Sequence, residues 1–316
     1  MPDSTHMVTP AQRKWLPPLT AVGFFMQTLD GTILNTALPS MAETLGESPL
    51  QMQSVIIAYM LTVALLIPAS GWLADRFGTR RIYLAAILLF TLGSLACAAA
   101  NSLPLLVAAR VLQGIGGALL MPVGRLAVLR VYSKHELLRV MSFVTIPGLV
   151  GPLIGPALGG WLVEVASWHW VFLINLPVGL LGFIASWYFM PDLRQSTAKF
   201  DWQGFVMFSA GMVLVSVGLQ GLGEHSISTG WALFALLFGL AAMASYWLYA
   251  ANAEEPLFGL GLFKTSTFAI GIWGNLFARL GSGAMPFLTP LFLQLGLGFS
   301  PSKAGMTMIP TVLGAM

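Results

Sequence analysis

The sequence predicts an all-α polytopic membrane protein, and three observations carry that prediction. Charged residues make up 9% of the 316 positions and hydrophobic residues 57%, whereas a soluble domain carries roughly 25% charged residues. The mean hydropathy is +0.81. Apolar windows of roughly 18 residues or more, the length a helix needs to cross a bilayer, recur along the whole chain. Backbone N–H and C=O groups must be satisfied inside lipid, so these windows are helices and not strands.

In order, the spans fall at about 16–38, 50–74, 81–100, 104–130, 137–163, 167–190, 202–222, 230–250 and 267–295, and a tenth starts near Pro301. The first apolar stretch is long and has no small-residue cleavage site, so it reads as a span and not a cleavable leader. The chain then divides into an N-terminal tail (1–15), a six-helix bundle (16–190), a linker with two extra spans (191–266) and the start of a second bundle (267–316).

Loop charges set the expected orientation. Arg13 and Lys14 precede the first span. Arg76, Arg80 and Arg81 follow the second, Arg130, Lys134 and Arg139 the fourth, Arg194 and Lys199 the sixth, and Lys264 the eighth. The alternate loops hold Glu43, Glu47, Glu164 and Glu224, with Lys303 as the only nearby base. Basic loops stay in the cytoplasm, which places the N-terminus inside. The net charge of +3 is therefore a topology signal and no sign of nucleic-acid binding. Trp72, Trp168 and Trp170 near span ends read as interfacial anchors.

Other functional classes lack their marks. The chain has no GxxxxGK[ST] loop for ATP and no catalytic cluster of His, Asp, Glu or Ser. It has no soluble output domain of the kind a receptor carries. His6, His135 and His225 have no metal-ligand spacing, and the single cysteine, Cys97, excludes an internal disulfide. No cofactor, no metal and no obligate protein partner is expected. The expected partners are the bilayer, a small-molecule substrate and protons.

A repeat supports a two-bundle plan. Leu45-Gly46-Glu47-Ser48-Pro49 follows the first span, and Leu297-Gly298-Phe299-Ser300-Pro301 follows the ninth. Both helices run from inside to outside, and internal repeats of this kind build transporters around a midplane site. In that register Met316 corresponds to Ala64, so the reading is of a second half that stops early, and of a chain that inserts without transporting.

Several motifs stand in order along the chain. Gly71, Asp75, Arg76, Gly78 and Arg80 form a charged turn after the second span. The first span reads Leu29-Asp30-Gly31-Thr32 through Ala37-Leu38-Pro39. Arg110, Gln113, Gly114, Gly116 and Gly117 lie in the fourth, and Gly151, Gly155, Pro156, Gly159 and Gly160 in the fifth. Trp168-His169-Trp170-Val171-Phe172-Leu173-Ile174-Asn175 with Pro177 opens the sixth, and Phe200-Asp201-Trp202 with Gly204 the seventh. Together they resemble the major facilitator superfamily, and within it the fourteen-span drug:proton antiporters. Thr79 and His169 depart from the pattern, each standing where the family usually has a base.

The resemblance implies the major facilitator fold and proton-coupled efflux of drugs across the bacterial inner membrane. Asp30 is the sharpest candidate, since an ionisable residue inside a span is costly and usually functional. Counting 1.5 Å per residue from the outer ends puts Asp30 roughly 12 Å deep and Arg110 roughly 9 Å deep, in one layer. Two readings follow. Arg110 holds Asp30 ionised until substrate competes and a proton binds, or the two form a fixed pair that orients their helices. Gly151, Gly155 and Gly159 share one helix face and permit close backbone approach, and the family resemblance makes that region, with Pro156 and Gly160, a seal. Asp75 in the first loop reads as a gate latch or as a solvated anchor. Arg279, Gln113 and Asn35 are candidates for lining a substrate cavity. Because Asp30 is the only acid deep in the first nine spans, against Arg110 and Arg279, small organic anions or their metal chelates form the alternative substrate class.

Overall fold

The computed structural model describes residues 8–196, 199–224 and 227–315; His6 and His225 lie outside them. Every regular element among the described residues is helical. The first is α1 (Pro10–Ile33), which begins well before the apolar window near residue 16. Its cause is local: Thr9 and Gln12 form a reciprocal capping box, with Pro10 set at the helix start. Pro39, which has no N–H, breaks the regular ladder. The chain passes through a 3-10 turn (Leu34–Thr36) into α2 (Leu38–Leu45), which ends on Gly46 at φ +70°.

Four long helices follow: α3 (Gln53–Phe77), α4 (Thr79–Ala98), α5 (Leu103–Val131) and α6 (Lys134–Val165). A Ser133/Glu136 capping box starts α6. The sixth span is interrupted, as α7 (Trp170–Leu173) and α8 (Asn175–Phe189), because Pro177 offers no N–H to the Leu173 carbonyl. The remaining helices are α9 (Trp202–Glu224), α10 (Thr229–Ala250), α11 (Ser266–Ser282), α12 (Met285–Leu291) and α13 (Pro301–Ala315). The ninth expected span is thus divided between α11 and α12, and a π turn (Phe292–Gly296) follows.

Eight of these segments are long and apolar enough to cross a membrane. The first span is not among them, because Gln27, Thr28, Asp30 and Thr32 dilute it. Large apolar side chains such as Leu180, Leu181, Leu237 and Leu248 are exposed on the outer faces, as expected where lipid is the solvent.

Two compact units form. One comprises the residues up to Ser196 together with those from Met285 onward, and the other spans Thr197–Ala284. In the first unit α1 is enclosed by α5, α6 and α8, α5 lies on α3 and α4, and α13 packs on α6. In the second, α9 and α10 form a close hairpin. Asp201 ties its loops together, accepting from Gly204 N at 2.8 Å, Tyr249 Oη at 2.9 Å and Leu257 N at 3.0 Å.

Candidate functional site

Asp30 and Arg110 meet in the centre of the first unit, each with 1% exposure, and Arg110 Nη1 donates to Asp30 Oδ2 at 2.6 Å. Four helices complete the enclosure. From α5, Gln113 Nε2 donates to Asp30 Oδ1 at 2.8 Å, and from α8, Asn175 Nδ2 donates to the same oxygen at 3.2 Å. Arg110 also donates to Gln113 Oε1 at 2.7 Å and through Nε to the Val55 carbonyl of α3 at 3.3 Å. Its guanidinium lies 4.1 Å from the centroid of the Tyr59 ring, a cation–π contact. Ser94 of α4 accepts from both amides, and Cys97 Sγ donates to Gln113 Oε1 at 3.6 Å. Charge is balanced, and the network is shut from solvent. Gln113 therefore belongs to this cluster and not to an open cavity wall.

On its other side α1 carries Thr28 and Thr32, the 3-10 turn after it adds Thr36, and these meet the glycines of α6 in register. A methyl placed on Gly151 would lie 2.5 Å from Thr28 Oγ1, one on Gly155 would strike Thr32 Oγ1, and one on Gly159 would lie 2.7 Å from Thr36 Oγ1. Thr36 Oγ1 donates to the Pro156 carbonyl at 3.1 Å. A second face of α6 meets α13, where Gly160 abuts the Pro301 carbonyl and Gly305 abuts that of Pro156. Glu164 at the end of α6 accepts from Ser302 N at 3.0 Å, at the start of α13.

The first-loop residues sit at the opposite end. Asp75 pairs with Arg130, whose Nη2 also donates to Gln195 Oε1 at 3.0 Å. Gly78 turns at φ +98°, where a side chain would collide with Asp192. Thr79, standing where a base is usual, is buried and donates to the Pro191 carbonyl at 2.7 Å while accepting from Leu193 N at 3.0 Å. Arg76 lies over Trp72 at 5.4 Å and Arg80 over Trp187 at 5.6 Å. Gly71 faces open space.

Asn35 is buried in the 3-10 turn after α1. Arg279 lies in α11 of the second unit and is exposed. His169, the other departure, stacks on Trp168 at 3.7 Å.

Sequence reasoning missed three contributors. Asn175 stood only as the end of the motif that opens the sixth span, with no role given to it, and Ser94 only as a small polar residue in an apolar run. Arg125, an exposed charge within α5, lies 5.3 Å from the Phe24 ring of α1; a charge inside the span was its signal. Among the described residues no cluster of His, Cys, Asp or Glu is set to hold a metal ion.

In a membrane-crossing bundle, an acid–base pair sealed inside the first unit marks a candidate functional site. The chain belongs to the Major Facilitator Superfamily, whose sequence profile matches residues 20–316. Among relatives, it is 57% identical over 314 residues to a protein of Pectobacterium atrosepticum named "Putative multidrug resistance protein MdtD", covering 98% of this chain and 66% of that protein. It is 54% identical to a protein of the same name from Klebsiella pneumoniae, over 97% of this chain and 65% of the relative. The chain thus spans just under two thirds of these relatives' length. A D-xylose–proton symporter shares the fold over 94% of this chain and 65% of its own, with a TM-score of 0.62 at 16% identity. A peptide transporter solved with sulfate does so over 95% of this chain and 66% of its own, at 0.65 and 17%.

Proposed function

We propose that the chain serves a proton-coupled exporter of drugs or other small molecules, which works by alternating access in the bacterial inner membrane with its N-terminus in the cytoplasm. The buried Asp30–Arg110 pair carries this reading. Ionised, the two charges satisfy each other. When a proton neutralises Asp30, Arg110 is left as a buried cation without a counter-charge, a state that costs several kcal/mol. The bundle lowers that cost by rearranging, and proton binding is thereby converted into movement. In this reading the glycine face of α6 is the seal and the Asp75 loop the latch. The relatives' printed name supports drugs as cargo.

Arg125 favours a second reading of the cargo. It is an exposed cation within a span, and Asp30 is already neutralised by Arg110. Small organic anions or their metal chelates therefore remain the alternative. Asp30→Asn in the natural full-length protein tests the coupling itself. It keeps the side chain's shape and removes its titrating group. Efflux from vesicles under an imposed pH gradient, normalised to the protein inserted, is expected to vanish. Normal coupled efflux refutes the proposal, and parallel loss of abundance and efflux assigns the pair a structural role.

A further inference from the structure

The two oxygens of Asp30 are held differently. Oδ2 faces Arg110 Nη1 at 2.6 Å, and Oδ1 faces the amide nitrogens of Gln113 and Asn175 at 2.8 and 3.2 Å. Ser94 fixes which way those amides point. Its hydroxyl proton goes to the Phe172 carbonyl at 2.9 Å, in the turn just before Asn175. Having one proton to give, Ser94 Oγ can then only accept, and it does so from Asn175 Nδ2 at 3.1 Å and Gln113 Nε2 at 3.3 Å. Each amide nitrogen therefore spends one N–H on Ser94 and one on Asp30 Oδ1. Gln113 Oε1 is occupied by Arg110 Nη1 at 2.7 Å, which blocks a flip.

Neither amide nitrogen can accept a proton. A proton on Oδ1 would point at two donors, so Oδ1 stays an acceptor in both states of Asp30. The remaining position is Oδ2, the oxygen that Arg110 occupies. We infer that Asn175, backed by Ser94, is a positioning residue that directs the coupling proton to Oδ2, so that protonation falls on the oxygen Arg110 grips and weakens that contact by removing its charge. The inference rests on the proton-coupling reading above. It gives the interruption between α7 and α8 a task, since that turn brings Asn175 and the Phe172 carbonyl to Ser94. The charged and titratable groups facing Asp30 are Arg110 of α5, Tyr59 of α3 and Cys97 of α4; the facing stretches of α6 and α8 carry none.

The test compares Asn175→Leu, Asn175→Asp and Ser94→Ala with Asp30→Asn in the full-length protein, reconstituted in vesicles. Substrate flux, proton flux and membrane abundance are measured across pH. With Asn175→Leu, Oδ1 loses a donor and becomes open to the proton while Arg110 keeps Oδ2. The expected result is at least a tenfold lower maximal rate of coupled efflux, KM within twofold, more protons moved per substrate, and a pH profile displaced about one unit to the alkaline side, since losing a donor disfavours the carboxylate. Asn175→Asp keeps the shape and places an acceptor at Oδ1, and it is expected to uncouple at least as strongly. Ser94→Ala frees the amides to turn and shifts the profile the same way by less; it replaces Asn175→Leu as the deciding variant if the latter does not insert. Wild-type coupling and pH profile in these variants overturn the inference, and so does a uniform loss of rate with no movement of the profile. Coupled efflux surviving in Asp30→Asn removes the underlying reading instead; loss in Asp30→Asn beside a wild-type Asn175→Leu removes this inference alone.

Discussion

Replacing Arg110 with methionine isolates the energetics of the central pair. The substitution keeps the unbranched stem and removes the guanidinium, and with it the 2.6 Å ion pair to Asp30 and the bonds to Gln113 Oε1 and the Val55 carbonyl at 2.7 and 3.3 Å. The cation–π contact with Tyr59 at 4.1 Å goes too. Asp30 keeps only two neutral amide donors, and at 1% exposure it has no solvent to turn to. Removing one partner of a buried pair costs about 3–5 kcal/mol. Asp30→Asn alone strands the opposite charge and costs a similar amount. In the double variant neither charge remains, so the losses should fall short of additivity by at least about 2 kcal/mol, within the range of contacting residues in one network. Reversible unfolding in mixed micelles, followed by tryptophan fluorescence, measures all four corners of the cycle. Losses that add within about 0.5 kcal/mol, as for distant sites, would refute the closed pair and the driving force drawn from it.

Two further outcomes are expected. Gly159→Ala places a methyl 2.7 Å from Thr36 Oγ1 and 3.0 Å from Ile33 Cγ1, against a helix backbone that cannot turn aside; it should lower unfolding stability by about 1–3 kcal/mol. Gly31→Ala, elsewhere on α1 with nothing within 4 Å of the added methyl, should raise stability by about 0.5–1 kcal/mol, and an equal loss in both variants would discount the seam. Reporter fusions after Arg80, Arg139 and Lys199 should read cytoplasmic and those after Glu47 and Glu224 external, by the loop charge bias; a consistent inversion would overturn the orientation.

The fold was legible because its signals are local. Hydropathy marks a span wherever it lies, and an acid or base inside a span announces itself, so Asp30 and Arg110 stood out and a depth count placed them in one layer. The glycines of α6 declared a close-packed face for the same reason. Their partner did not, since nothing in a threonine ladder on α1 says which helix it will meet. Asn175 and Ser94 escaped because their roles exist only where α4, α5 and α8 converge on α1. The start of α1 at Pro10 was set by a capping box and not by apolarity, and hydropathy windows do not register caps.

The two faces of α1 link these findings. At about 100° per residue, Asp30 lies some 200° from both Thr28 and Thr32, on nearly opposite sides of one helix. One side holds the acid against α5 and α8, and the other is locked into α6 by methyl-free contacts and by the Thr36 bond to the Pro156 carbonyl at 3.1 Å. If protonation of Asp30 shifts α1 away from Arg110, the threonine side must carry α6 along or break its register. The glycine seam thus lies between the helix that holds Asp30 and the helix whose other face abuts α13.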